Sequence, residues 1–390
     1  MDKKVLCLAP FVSAYKNYLG VSACCEMPTN KNNELYPTLD AYLNSDFYQD
    51  LCESMKRFDI ESLPRQCKLC LGSAKPHADM YELPYRTELH ENVDYDSFRL
   101  SLFTIGQSNK CNAACRMCGP DVSDTKNKLF NDLGLVGLPF GTTRLETNPE
   151  EDLEIIRKYE GEIKNIVIHG GNPAQFETTP ELLDTLLAQK DPVKISFLTN
   201  GSFSTMTDGR NLYEVLNGFP KVDIMFSIDS IPEANDYIRD GNKTKRIVKL
   251  IKEAREKITD AELTLCVHCT LTNYSVIYFA EFLDWFEKEL EPVGVVLSVG
   301  LVRYPRMYAT GNLPDDVKKE VFYKLRPIMN GKYGDDVKLA MSDMLQIPFN
   351  QAEWDKAILQ NKMQDEARGV DGSNIFPMFT SDNMIPIKKV

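Results

Sequence analysis

The sequence predicts an α/β fold. Its centre is a partial (βα)6 barrel, preceded by a small cysteine-bearing β-hairpin and helix domain and followed by a C-terminal helical extension. Three observations carry this. Between about Phe98 and Val302 short apolar runs alternate with helical stretches, the pattern of parallel βα units. The eleven cysteines gather in ligand-like spacings rather than scattering. Beyond Pro314 the pattern turns helical and then irregular. The expected division is 1–90, 91–305 and 306–390.

Composition narrows the class. At 390 residues the chain has volume for a sizeable core. No apolar stretch approaches the roughly 20 residues a membrane helix needs, and no signal-like start is visible. The reading is a soluble, unexported, cytoplasmic protein whose cysteines sit in a reducing compartment. With 45 basic against 57 acidic residues, the net charge of -12 argues against broad binding to polyanions, which needs basic surface.

Taken in order, Val5 to Leu8 reads as a strand, Tyr18 to Cys25 as a second, and Leu39 to Phe58 as one amphipathic helix. Cys67 and Cys70 follow. Cys7, one of Cys24 and Cys25, Cys67 and Cys70 make a set of four thiolates, enough to close an iron-sulfur cluster or a zinc site. Cys52, on the apolar face of the helix, reads as core.

The six candidate strands are Arg99 to Ile105, Asn165 to His169, Val193 to Thr199, Val222 to Ile228, Leu263 to Thr270 and Val295 to Val302. After the first comes Cys111-Asn112-Ala113-Ala114-Cys115-Arg116-Met117-Cys118. Three thiolates at this spacing can ligate three irons of a 4Fe-4S cube and leave the fourth open. The second strand ends in His169-Gly170-Gly171-Asn172, where paired glycines allow close backbone approach. The third ends in Thr199-Asn200-Gly201. The fourth ends in Ser227-Ile228-Asp229, whose alternation puts Ser227 and Asp229 on one face.

On the fifth strand, alternation puts Cys266, His268 and Thr270 on one face and Cys269 on the other, so this CxxC is no metal site unless the strand breaks. His268 reads either as an interior contact to a ligand or as a satisfied core histidine. After the sixth strand, Arg303-Tyr304-Pro305-Arg306 could bind a carboxylate or phosphate, with tyrosine stacking on a planar group. From Pro314 to Val390 the pattern is helical and then irregular, with Lys318 to Met329 reading as a helix, and this extension either closes the barrel's open side or covers the N-terminal segment.

The cysteine loop, with hydrophobic Met117 before its last cysteine, resembles the CxxxCxΦC loop of the radical S-adenosylmethionine (SAM) superfamily. The resemblance implies that SAM chelates the open iron and is cleaved reductively to a 5'-deoxyadenosyl radical. Gly170, Gly171 and Asn172 are similar to the superfamily's GGE motif, with Asn172 where an acid is usual. Asn200, Ser227 and Asp229 stand at matching strand ends, and Thr270 and Asn273 fall in a region that contributes SAM contacts in the family.

The N-terminal segment resembles the twitch module, which implies a second, auxiliary 4Fe-4S cluster on Cys7, Cys24, Cys67 and Cys70. Cys24 is favoured over Cys25 by its distance from Gly20. The resemblance to phage-type twitch proteins implies an isomerase that rearranges an amino-acid adduct on thymine in DNA, with a peptide-modifying enzyme as the alternative. The expected partners are SAM, an electron donor such as flavodoxin or ferredoxin, and a modified DNA base or a peptide as substrate. From another class, a non-catalytic electron carrier or zinc protein would explain the cysteines but not the ordered strand ends.

Overall fold

The structure, a computed structural model, describes residues 5–17, 20–25, 36–71, 93–135, 148–302 and 305–379. Its centre is an eight-stranded sheet in the order β2-β1-β3-β4-β5-β6-β7-β8. The strands are β1 Ser13–Asn17, β2 Gly20–Ser22, β3 Leu102–Gly106, β4 Asn165–His169, β5 Lys194–Thr199, β6 Lys221–Ser227, β7 Glu262–Leu271 and β8 Val295–Leu301. Only the β1–β2 pair is antiparallel.

Strand alternation gives this sheet two different faces. Ile105, Ile168, Phe197, Ile224, Leu265 and Val295 form one continuous row across β3 to β8, and all are buried. The opposite face carries Tyr15, Thr104, His169, Ser196, Ser227, His268 and Ser298, all half-buried. The apolar face packs in one core with helix residues such as Ile156, Leu183, Ile251 and Phe282. At about 2 kcal/mol per fully buried aliphatic or aromatic side chain, this face is the main source of stability. The half-buried polar face is the one available to ligands.

Fourteen α-helices surround the sheet among the described residues: α1 Ala9–Val12, α2 Leu39–Leu43, α3 Asp46–Lys56, α4 Arg65–Leu71, α5 Asp124–Asp132, α6 Pro149–Lys158, α7 Thr179–Leu187, α8 Leu212–Leu216, α9 Pro232–Ile238, α10 Thr244–Lys257, α11 Phe279–Glu289, α12 Asp315–Leu325, α13 Gly334–Gln346 and α14 Gln351–Arg368. No helix is long and apolar enough to cross a membrane among the described residues.

Three N-terminal expectations are corrected. Val5 to Leu8 is irregular and leads into α1, because Pro10 fits a helix's first turn, where no N–H is required. The strand starts at Ser13 instead. The second strand is confined to Gly20–Ser22 among the described residues. The single helix over Leu39 to Phe58 is two, each with its own N-cap: Thr38 Oγ1 accepts the Ala41 N–H at 3.1 Å, and Ser45 Oγ accepts that of Tyr48 at 3.2 Å.

The β1–β2 hairpin belongs to the main sheet, since β1 runs parallel to β3 from Ser13↔Leu102 to Lys16↔Ile105. Lys16 fastens it. Its buried Nζ lies 2.7 Å from Asp152 and 2.9 Å from Glu151 on α6.

At the other end of the chain, α14 lies against the cysteine loop. Asn361, Gln364, Asp365 and Arg368 lie on one helical face and all bond groups of the cysteine loop or of α5 beside it. Trp354 and Phe379 stack toward Tyr274, just beyond β7.

Candidate active site

The cysteine loop leaves the C-terminal end of β3 and is tied at both sides. Beyond it, α5 begins with Ser123 as N-cap. Ser123 Oγ donates to Ala113 O at 2.6 Å, Asp124 accepts the Cys111 N–H at 2.7 Å, and Thr125 Oγ1 donates to Cys111 O. On the other side the N–H groups of Ala114 and Arg116 donate to Asp240 O and Ile238 O, both at 2.8 Å. Cys111 and Cys115 are buried and pack with Ala113, Met117 and Cys118 as a small cluster separate from the main core.

The predicted strand ends converge on this loop through Asn112. Asn200 Nδ2 donates to Asn112 Oδ1 at 3.0 Å, and Asn112 Nδ2 donates to Ser202 Oγ at 2.9 Å and Gly241 O at 3.0 Å. Asn172 Nδ2 approaches the same Oδ1 at 3.5 Å, while its own Oδ1 accepts from Thr199 Oγ1 at 3.1 Å. Asn172 is therefore fully buried and its amide is committed to the protein. The paired glycines explain how β4 comes so near. A Cβ on Gly171 would collide with the Lys110 carbonyl, and Gly170 has φ +126°, where side chains are strained.

Asp229 is buried in an ion pair with Arg239: Nε lies 2.7 Å from Oδ2 and Nη2 donates to Oδ1 at 2.9 Å. Its Oδ1 also accepts the Thr270 N–H at 2.9 Å. The same guanidinium reaches the loop, with Nη1 3.9 Å from Cys115 Sγ, and Asn200 Nδ2 lies 3.6 Å from Cys111 Sγ. Burial pushes the Cys111 thiol up to about 11. Cys115 and Cys118 share a hydrogen bond that holds Cys115 low, helped by Arg239, and raises Cys118. The donors that face these sulfurs are the neutral Asn200 amide and the Arg239 guanidinium, itself paired with Asp229.

The other predicted residues are distributed unevenly. Asn273 is fully buried and donates to Met307 O at 2.8 Å, pinning the turn after β8. Ser227 and His268 are neighbours in register on the half-buried face, and His268 Nδ1 lies 3.2 Å from Ser298 Oγ. Arg306 is exposed and donates to Pro348 O at 3.2 Å. Arg303 and Tyr304 lie outside the described residues. The β7 strand is unbroken, and Cys266 and Cys269 face opposite sides of it as alternation requires. Cys52 is core.

Around α4, Cys7 and Cys70 lie within electrostatic range of Cys67, whose thiol is pushed up to about 12, first by burial and then by those two. Burial raises the Tyr42 pKa first, and Cys24, Cys52 and Cys67 raise it further; its hydroxyl has no hydrogen-bond partner among the described residues.

Arg239, Arg116 and Lys126 were not legible as site residues, nor was the face of α14 that meets the loop. Each is a charged or polar residue in a helical or loop stretch, and no spacing set it apart.

Residues 107–286 match the family model of the Radical SAM superfamily. The match begins just after β3 and takes in the cysteine loop and the ends of β4 to β7.

Among solved structures, native anSMEcpe with bound AdoMet and Cp18Cys peptide is similar at TM-score 0.40 and 16% identity, over 62% of this chain and 61% of that one. Native anSMEcpe with bound AdoMet gives 0.41 and 15%, over 70% and 68%. Streptococcus suis SuiB bound to S-adenosylmethionine gives 0.39 and 16%, over 82% and 69%. The chain thus spans about three fifths of the length of the first of these. No curated protein sequence matches it.

Proposed function

We propose that the chain is a radical SAM enzyme built on a partial barrel, with Cys111, Cys115 and Cys118 each ligating one iron of a 4Fe-4S cluster and a fourth iron left for SAM. The observation that carries this is the convergence of the ends of β4 and β5 on Asn112, inside the three-cysteine loop. The donor set fits the group: three thiols gather in one buried cluster, faced by the Asn200 amide and the Arg239 guanidinium. A cube takes one thiolate on each of three irons, whereas zinc needs all its ligands on one atom.

When bound, the cluster and SAM supply the electron and the primary-carbon radical that abstracts hydrogen from substrate. The chain's part is positioning. Asn112 and its partners fix the loop, and Asp229 fixes Arg239. Among the expected SAM contacts, Ser227 and the Gly170-Gly171 backbone are favoured, because Asn172 and Asp229 are already bonded within the protein.

An auxiliary 4Fe-4S cluster on Cys7, Cys24, Cys67 and Cys70 in a twitch-like N-terminal segment is supported by Cys7 and Cys70 lying within electrostatic range of Cys67. A flavodoxin- or ferredoxin-type donor would supply electrons. For substrate, a peptide or protein side chain is favoured over a thymine adduct in DNA by the net charge of -12.

The test is 5'-deoxyadenosine formation by anaerobically reconstituted protein with SAM and a strong reductant. The native chain should form it and Cys115→Ala should not. Equal formation by both, or none by either with iron bound, would reject the assignment. Deuterium transfer into 5'-deoxyadenosine from labelled DNA rather than labelled peptide would reverse the substrate reading.

A further inference from the structure

Beneath the cysteine loop lies a cation without a carboxylate. Lys126, the third residue of α5, is fully buried, and its Nζ faces Gln364 Oε1 at 2.8 Å, Cys115 O at 2.9 Å and Arg116 O at 3.4 Å. Three acceptors match the three hydrogens of an ammonium, one more than a neutral amine can donate.

The other cations nearby are already neutralised. Arg116 pairs with Asp365, stacks 3.6 Å from the Tyr237 ring centroid and donates to Asn361 Oδ1 at 2.6 Å. Arg368 lies 3.0 Å from Asp240 and donates to Ala114 O. Arg239 belongs to Asp229. Lys126 has no such partner among the described residues, and a buried unpaired charge is strongly destabilising. Burial and then Arg368 push its pKa well down, and the groups that push it back up are Cys118 and Cys115. Its hydrogen bond to α14 holds it there from outside the matched domain, since Gln364 lies far beyond residue 286.

We propose that Lys126, held by Gln364, is the counter-charge of the cluster on this loop and raises its reduction potential. The inference rests on the radical SAM reading above. A fixed cation beside the ligating sulfurs stabilises the state that carries the extra electron, so its removal favours the oxidised state.

The experiment compares full-length native protein, Lys126→Met and Gln364→Glu, each anaerobically reconstituted. The midpoint potential of the cluster whose EPR signal responds to added SAM is read by redox titration, beside iron per chain and thermal unfolding. Both variants should titrate at more negative potential. Gln364→Glu keeps the acceptor and nearly the shape but sets a carboxylate against the ammonium, so it should retain native iron content. An unchanged or more positive midpoint in Gln364→Glu with native iron overturns the proposal and leaves Lys126 a packing group. That variant decides alone if Lys126→Met does not fold. Native protein that binds no cluster would instead sink the radical SAM reading, and this is seen before any variant is compared.

Discussion

Arg239 stands between Asp229 and Cys115, its Nε 2.7 Å from Asp229 Oδ2 and its Nη1 3.9 Å from the Cys115 sulfur. Both members of the ion pair are buried, so neither can exchange its partner for water. Asp229→Ala would leave the guanidinium unpaired and the Thr270 N–H without its acceptor. The expected loss is about 3–5 kcal/mol, read from urea unfolding of the cluster-free protein. Asp229→Asn, which keeps an acceptor but not the charge, should fall between. An Asp229→Ala midpoint equal to native would mean that Arg239 is held by something else.

Gly171 is where β4 presses on the cysteine loop. Its missing side chain makes room for the Lys110 carbonyl, and the Asn172 N–H donates to that same oxygen at 2.9 Å. Gly171→Ala must push backbone against backbone, which no rotamer change relieves. The variant should remain soluble but bind much less iron after reconstitution, because the loop cannot close on Asn112. Native iron content in Gly171→Ala would show that the close approach is not needed for the loop's geometry.

The parts of the fold read correctly from sequence share a physical cause. Asn165 to His169 is β4 to the residue, and the other five central strands are right to within three residues at their starts and one at their ends, because one whole face of each is apolar and buried. Alternation also sorted Cys266 from Cys269. At the N-terminus the apolar run Val5 to Leu8 misled, because hydrophobicity alone does not register that Pro10 starts a helical turn. The role of α14 was hidden for a different reason. Asn361, Gln364, Asp365 and Arg368 form a polar stripe at helical spacing, which reads as a solvated face, and their partners Arg116 and Lys126 lie more than two hundred residues earlier. Buried polar pairing across that distance leaves no local pattern.

His169 gives the protein an acid-sensitive element. Its ring stacks on Tyr15 with centroids 5.1 Å apart, sits against Gly106 of the next strand, and has a buried Nε2 with no hydrogen-bond partner among the described residues. Burial pushes its pKa down to about 4. The folded state therefore holds a neutral imidazole, whereas the unfolded chain takes up a proton near its ordinary value of about 6.5. Between those values the unfolded state binds more protons, so stability is full above the unfolded pKa and declines as pH falls toward 4. The contribution is about 3 kcal/mol. Urea unfolding at neutral pH and near pH 5 should show a smaller acid loss in His169→Gln than in native protein. Equal losses would place the acid sensitivity elsewhere.

Cys67 and Cys70 separate the two metals that four thiolates could hold. Both lie on α4, and Cys7 is within electrostatic range of Cys67. If the N-terminal set carries a second 4Fe-4S cluster, native protein should bind about eight irons, and Cys67→Ser/Cys70→Ser about four. The remaining iron should be held by Cys111, Cys115 and Cys118, so reductive formation of 5'-deoxyadenosine should survive in the double variant, while turnover of substrate that needs the auxiliary cluster should not. Should the set hold zinc, native protein would instead contain about four irons and one zinc, and the double variant would lose only the zinc. Iron and zinc analysis of strictly anaerobic protein distinguishes these outcomes, and loss of 5'-deoxyadenosine formation in the double variant would show that the N-terminal thiols support the cluster on Cys111, Cys115 and Cys118 as well as their own.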